Sequence, residues 1–153
     1  MKKVILSVLS LSLLVIVSCG DGKSKKETVD KKDVVEETAE VDPMKDKGIG
    51  PITNVTLSAD IDQELASKGA EVFKIKCAAC HKPEKRFIGP APKGIMDRRT
   101  PEWIMNMILN PEEMVQKNAA AKALLAEYLS PMANQNLTEE EARSVLEYFR
   151  TLK

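Results

Sequence analysis

The residues with the most chemistry in this chain occupy five consecutive positions: Cys77, Ala78, Ala79, Cys80 and His81. Two thiols at i and i+3 near a helix end lie on one side of the turn, and an imidazole follows directly. That spacing lets the sulfurs add across the two vinyl groups on adjacent edges of a porphyrin and brings His81 under the iron, so Cys-x-x-Cys-His reads as the attachment signature of one c-type haem. Three other readings compete. A structural zinc site needs four ligands, and the motif offers three, two of them adjacent. A reactive dithiol of the thioredoxin kind would sit among strands, whereas the flanking sequence has helical periods. A plain disulfide or a chance grouping is the third.

Composition narrows the field further. The chain has 153 residues, with 23 Lys plus Arg against 23 Asp plus Glu, and one His. That length fits one ordinary domain with extensions. A net charge of zero argues against a nucleic-acid partner, which needs a basic surplus. A single His excludes two-His iron ligation within the chain and any acid–base scheme using two imidazoles. Three Cys cannot all pair with one another, so Cys19 needs its own explanation.

The N-terminus supplies one. Met1-Lys2-Lys3 precedes an apolar run from Val4 to Val17, and Ser18-Cys19 follows. This has the order of a secretory signal, and the run is shorter than the roughly 20 residues a membrane-spanning helix needs. Ile16-Val17-Ser18-Cys19 resembles the bacterial lipobox, which implies acylation of Cys19 and a lipid-anchored, periplasm-facing protein of the bacterial envelope. The expected division is residues 1–19 as lipoprotein signal, 20–58 as a charged flexible tether and 59–153 as the folded domain. The tether has seven Lys against nine Asp or Glu, no aromatic residue and no sustained apolar period, so it lacks the apolar surface to offset chain entropy. As a coil its 39 residues span about 35 Å.

The elements that must position the motif are helices. Asp60 to Lys76 has helical spacing, with Leu65, Gly69, Val72, Phe73 and Lys76 on one face. Thr100-Pro101-Glu102 opens a second helix that Asn110-Pro111 closes. Asn118 caps a third, through Leu124, Leu125 and Tyr128. Thr138 with Glu141 forms a capping box for a last helix, whose stripe is Ala142, Val145, Leu146 and Phe149. No stretch alternates as a strand does. The expected fold is all-α, about four helices around a large apolar cofactor, which offsets the thin apolar stock of so small a domain.

On these residues the sequence resembles the single-haem, class I-like cytochrome c domains of bacterial envelopes. Gly69-x-x-x-Phe73-x-x-x-Cys77 matches their first helix, in which a Gly admits the last helix and an aromatic packs on the haem edge. Ile88-Gly89-Pro90 matches the turn whose Pro carbonyl accepts the proximal imidazole N–H. Ser130-Pro131-Met132, then Leu137-Thr138-Glu139-Glu140-Glu141 and the helix with Tyr148, match the distal loop and C-terminal helix. The resemblance covers residues 59–153.

With one His, Met is the expected second axial ligand. Met44 is in the tether, Met105 and Met107 lie on a helix beside Trp103 and Ile104, and Met114 lies near a helix end. Met132 lies between helices, after Pro131 and before Asn134-Gln135-Asn136, where extended backbone can bring a thioether to iron and where an Asn amide can brace the loop. Met132 is therefore the leading candidate and Met96 the next. Arg98, with Arg99 beside it, and the indole N–H of Trp103 are further candidates, as partners of the haem propionates. Residues 68–99 carry nine basic and three acidic side chains, residues 100–153 five and eight. The attachment region is thus a positive patch suited to an acidic partner.

An iron with both axial positions filled by protein has no place for substrate, and a thioether raises its potential relative to two nitrogens. The expectation is a monomeric, membrane-tethered electron carrier of a respiratory chain, not an enzyme. By family analogy its redox partners are a quinol-oxidising complex and a terminal oxidase or nitrogen-oxide reductase. The alternatives are a gas sensor or peroxidase-like enzyme with an open distal side, and a fixed subunit of a larger oxidoreductase.

Overall fold

The computed structural model describes residues 42–153. The expected signal peptide, Cys19 and the first part of the tether lie outside the described residues. Among the described residues there are five α-helices and no strand, so the expected all-α class holds.

Helix α1 spans Gln63–Val72 and begins at Asp62, whose carboxylate accepts from the Leu65 N–H. The helix therefore starts three residues after Asp60, where the helical spacing was expected to begin. Past Val72 the helix widens into a π-turn, Phe73–Cys77, closed by the Ala78 N–H on the Phe73 carbonyl at 2.9 Å. Such a widening is common at functional sites, and here it delivers Cys77. Helix α2, Pro101–Leu109, is capped by Thr100. Asn110-Pro111 closes it as expected, but Pro111 also opens α3, Pro111–Lys117, a helix the sequence reading lacked. A proline that cannot continue one helix is preorganised for the first position of the next. Asn118 caps α4, Ala119–Tyr128, and Thr138 and Glu141 form both bonds of the expected capping box on α5, Glu139–Thr151.

The frame is the crossing of α1 and α5. A Cβ on Gly69 would stand 1.9 Å from the Ser144 carbonyl oxygen, so the two backbones touch there and only glycine fits. Phe73 then packs on Tyr148 and Phe149, with ring centroids 5.5 and 5.9 Å apart. At the other end of the crossing Glu147, fully buried, accepts from Arg143, Arg150 and the Asp62 N–H. Arg150 continues to the carbonyls of Ser58, Ala59 and Asp60, which fixes the entry to α1.

The domain does not begin at Ala59. Residues 42–58, expected as part of the tether, lie against α2, α3 and α4. The buried Asn106 side chain donates to the carbonyls of Lys47 and Ile52 and accepts from the Ile52 N–H, all at 2.9 Å. Thr100 donates to the Asp46 carbonyl, Asn118 to the Asp46 carboxylate, and Glu102 accepts from the Val55 N–H. Ile52 is buried in the core. The segment has too few apolar residues to fold by itself. It is held because buried polar side chains of α2 take its backbone groups in place of a sheet or helix ladder.

Candidate functional site

The attachment turn is built by one carbonyl. Cys77 O accepts from the N–H groups of Cys80 and His81, at 3.0 and 2.9 Å. This tight turn at the end of the π-turn carries both thiols and the imidazole, and all three border one cleft. Cys77 and Cys80 are free thiols. Burial, with the neighbouring Cys80 charge second, pushes the Cys77 thiol up to about 11, so it stays protonated at neutral pH.

His81 is held from two sides. Its Nδ1 lies 2.8 Å from the Pro90 carbonyl oxygen. A carbonyl can only accept, so Nδ1 carries the proton and Nε2 is the nitrogen left for a metal. Gly89 lies against the ring: a Cβ there would be 2.5 Å from Cε1 and 3.0 Å from Nε2. The Gly89 N–H in turn bonds to the Cys80 carbonyl at 2.9 Å, which closes the 80–89 loop. The Ile88-Gly89-Pro90 turn thus has the arrangement that its resemblance implied.

The cleft has a cavity volume of about 210 Å³. Phe73, Trp103, Ile104, Leu124 and Val145 supply much of its apolar wall, and Met132 lies on it. The methionines divide clearly. Met114 is fully buried and its sulfur accepts from the Ile49 N–H at 3.0 Å, so the N-terminal segment ties it off. Met105 is core, Met44 is exposed, and Met96, the second candidate from sequence, is absent from the cleft wall. Met107 of α2 is the other methionine on the wall, a position the sequence assigned to core filling.

Two pocket expectations change. The Trp103 ring lines the cleft, but its indole N–H donates to Asn118 Oδ1 at 3.2 Å and is not free for a propionate. Arg98 is exposed, bonds to the Ala91 carbonyl at 3.3 Å and does not line the cleft. Arg99 does not line the cleft either: its guanidinium lies 4.9 Å from the Trp103 ring centroid, its Nη1 donates to the Arg98 carbonyl at 2.8 Å, and its Nε is buried with no partner among the described residues.

These residues fit a covalently held haem. Two thiols and an imidazole share one turn, the imidazole is fixed in the ligating tautomer, Gly89 leaves room for its ring, and the cleft beside them is walled by apolar side chains. An all-α fold with such a cleft defines a c-type haem protein. A family model described as Cytochrome c matches residues 66–153. Cytochrome c from Rhodothermus marinus is 44% identical, with a TM-score of 0.66 over 67% of this chain and 89% of that one. The engineered cytochrome c Rma TDE from the same organism is 43% identical, with a TM-score of 0.65 over 67% of this chain and 90% of that one. The structure of Rma TDE bound to a carbene intermediate, 1-ethoxy-1-oxopropan-2-ylidene, is 44% identical, with a TM-score of 0.63 over 67% and 89%. No curated protein matches. The chain belongs to the cytochrome c family, whose cofactor is one covalently bound haem c and whose general role is haem-based electron transfer.

Proposed function

We propose that the chain is a lipid-anchored single-electron carrier of a bacterial respiratory chain, facing the periplasm, with thioether links at Cys77 and Cys80 and axial ligands His81 and Met132. Haem c supplies one-electron exchange between ferric and ferrous iron. Pro90 holds the His81 ring so that Nε2 is presented, Met132 offers a thioether from non-helical backbone, and the apolar wall keeps bulk water away. The observation that carries the reading is that His81, locked at Nδ1, and Met132 border the same cleft.

A visible spectrum with mass spectrometry of the mature protein tests it. The expected mass is one haem plus acyl chains on a chain that starts at Cys19. The ferric protein should show the weak red-edge absorption of iron–thioether bonding. Met132→Ala should abolish that absorption and Met107→Ala should keep it. Slow carbon monoxide binding by the reduced protein is expected, and fast binding would favour an enzyme or sensor with an open distal side. Engineered Rma TDE, which holds a carbene, shows that a relative's fold can house a reacting group.

The acidic redox partner is read from charge. Lys76, Lys82, Lys85 and Arg86 surround the attachment turn, so the rate of electron transfer to the partner should fall as salt is raised, and a flat salt dependence would refute this docking. The candidate donor is a quinol-oxidising complex, and the candidate acceptor a terminal oxidase or nitrogen-oxide reductase.

A further inference from the structure

Two segments wall the cleft on either side of one side chain. Ile88, Gly89 and Pro90 belong to the loop that follows His81, and Tyr128, Pro131 and Met132 to the segment that leaves α4. Arg86 joins them. Its Nη1 donates to Glu127 Oε1 at 2.6 Å, its Nη2 donates to the Glu127 carbonyl oxygen at 3.1 Å, and its guanidinium carbon lies 4.0 Å from the Tyr128 ring centroid. The Glu127 carbonyl is in the last turn of α4, where carbonyls lack helical partners and the helix dipole favours a cation.

Beside Arg86, that helix end is closed by the Leu129 N–H on the Leu125 carbonyl at 2.9 Å. Leu129 follows with φ 52°, in the left-handed region that leucine rarely adopts, and it is 84% exposed. No glycine cap and no burial secures the position, and Met132 comes three residues later. The far end of the same segment has its own anchors: the Asn134 side chain donates to the Leu109 carbonyl at 3.1 Å, and Leu137 is buried.

We propose that Arg86 is a positioning residue for the distal ligand. It reaches from the histidine-bearing loop, caps α4 and fixes the root of the segment that presents Met132 to the cleft. The inference rests on the reading of Met132 as axial ligand. Arginine suits the position because one planar group donates twice as a fork and stacks on a ring at the same time, which an ammonium cannot do. An exposed ion pair alone would have little effect, but here the carboxylate, the carbonyl and the ring are met by one side chain ordered once.

The test uses the full-length, haem-loaded protein and the affinity of its ferric form for imidazole, which competes with the thioether. Arg86→Ala should raise the apparent affinity about tenfold by populating the segment's released state, and Arg86→Lys should lie nearer to Arg86→Ala than to wild type. Lys122→Ala, which removes the same charge from an exposed position on α4, should match wild type. Where Arg86→Ala accumulates without haem, Glu127→Gln serves instead and should raise the affinity by a smaller factor. If Met132→Ala abolishes the red-edge absorption while Arg86→Ala and Glu127→Gln bind imidazole as wild type does, the clasp is overturned and the ligation stands. If the absorption survives in Met132→Ala, the ligand reading falls and the clasp falls with it. An equal rise in Lys122→Ala would assign the effect to charge and also overturn the clasp.

Discussion

At the scale of single residues, the site depends on small distances around His81. Gly89 is required by space alone, because any Cβ would meet the imidazole within 3.0 Å. Gly89→Ala is therefore expected to tilt or displace the ring and break its bond to the Pro90 carbonyl. The measurement is the ferric visible spectrum together with haem retention on acid–acetone extraction: haem should stay covalently attached while the low-spin spectrum is lost or weakened. An unchanged spectrum would show that the ring has room to shift. Trp103→Phe tests a different link. It keeps the cleft wall apolar but leaves Asn118 Oδ1 without the indole donor, so it should cost about 1 kcal/mol in denaturant unfolding while the haem spectrum stays as in wild type. A large spectral change would restore the indole N–H to the haem site.

At the scale of elements, the α1–α5 crossing positions the attachment turn. A methyl group at Gly69 would collide with backbone and not with a side chain that can rotate away, so Gly69→Ala should destabilise by about 3 kcal/mol or more, read from the denaturation midpoint. Glu147 holds the same crossing electrostatically. Desolvation pushes its carboxyl up, but the bonds from Arg143 and the Asp62 N–H and the charges of Arg143 and Arg150 outweigh this and hold it below the usual carboxylate range. A carboxyl lowered in the folded state contributes stability above its unfolded pKa and loses it as pH falls through the folded one. Glu147→Gln should thus cost about 3 kcal/mol at neutral pH, since two guanidinium groups lose their shared anion. The difference between wild type and variant should shrink as pH falls below about 4. A gap in unfolding free energy that is constant with pH would rule out the carboxylate charge as the stabilising element.

At the scale of the whole molecule, the folded unit extends upstream of the region matched by the family model, which starts at residue 66. The segment from Asp42 to Ser58 satisfies the buried Asn106 side chain and occupies the sulfur of Met114. A chain that begins at Asp42 should therefore match the stability of the protein without its first 41 residues removed. One that begins at Ala59 should lose several kcal/mol, because at least three buried bonds to Asn106 and the burial of Ile52 go together. Equal denaturation midpoints for the two truncations would return residues 42–58 to the tether.

The sequence alone determined the chemistry of the attachment turn, the helical class and most helix ends, because these depend on neighbours within a few positions. Cys77, Cys80 and His81 follow from spacing, Gly69 and Phe73 from helical period, and the caps at Thr100, Asn118 and Thr138 from side chains that bond two or three residues on. Tertiary structure alone decided that Met107 and Met132 border the cleft, that the Trp103 N–H belongs to Asn118, and that residues 42–58 join the domain. Each of these turns on a partner beyond one helical turn, from 15 residues away for Asn118 to 59 for Lys47. Polar groups such as Asn106 carry no hydropathy signal that announces what they will hold, and they acquire their role only when the fold brings a distant backbone within hydrogen-bond range.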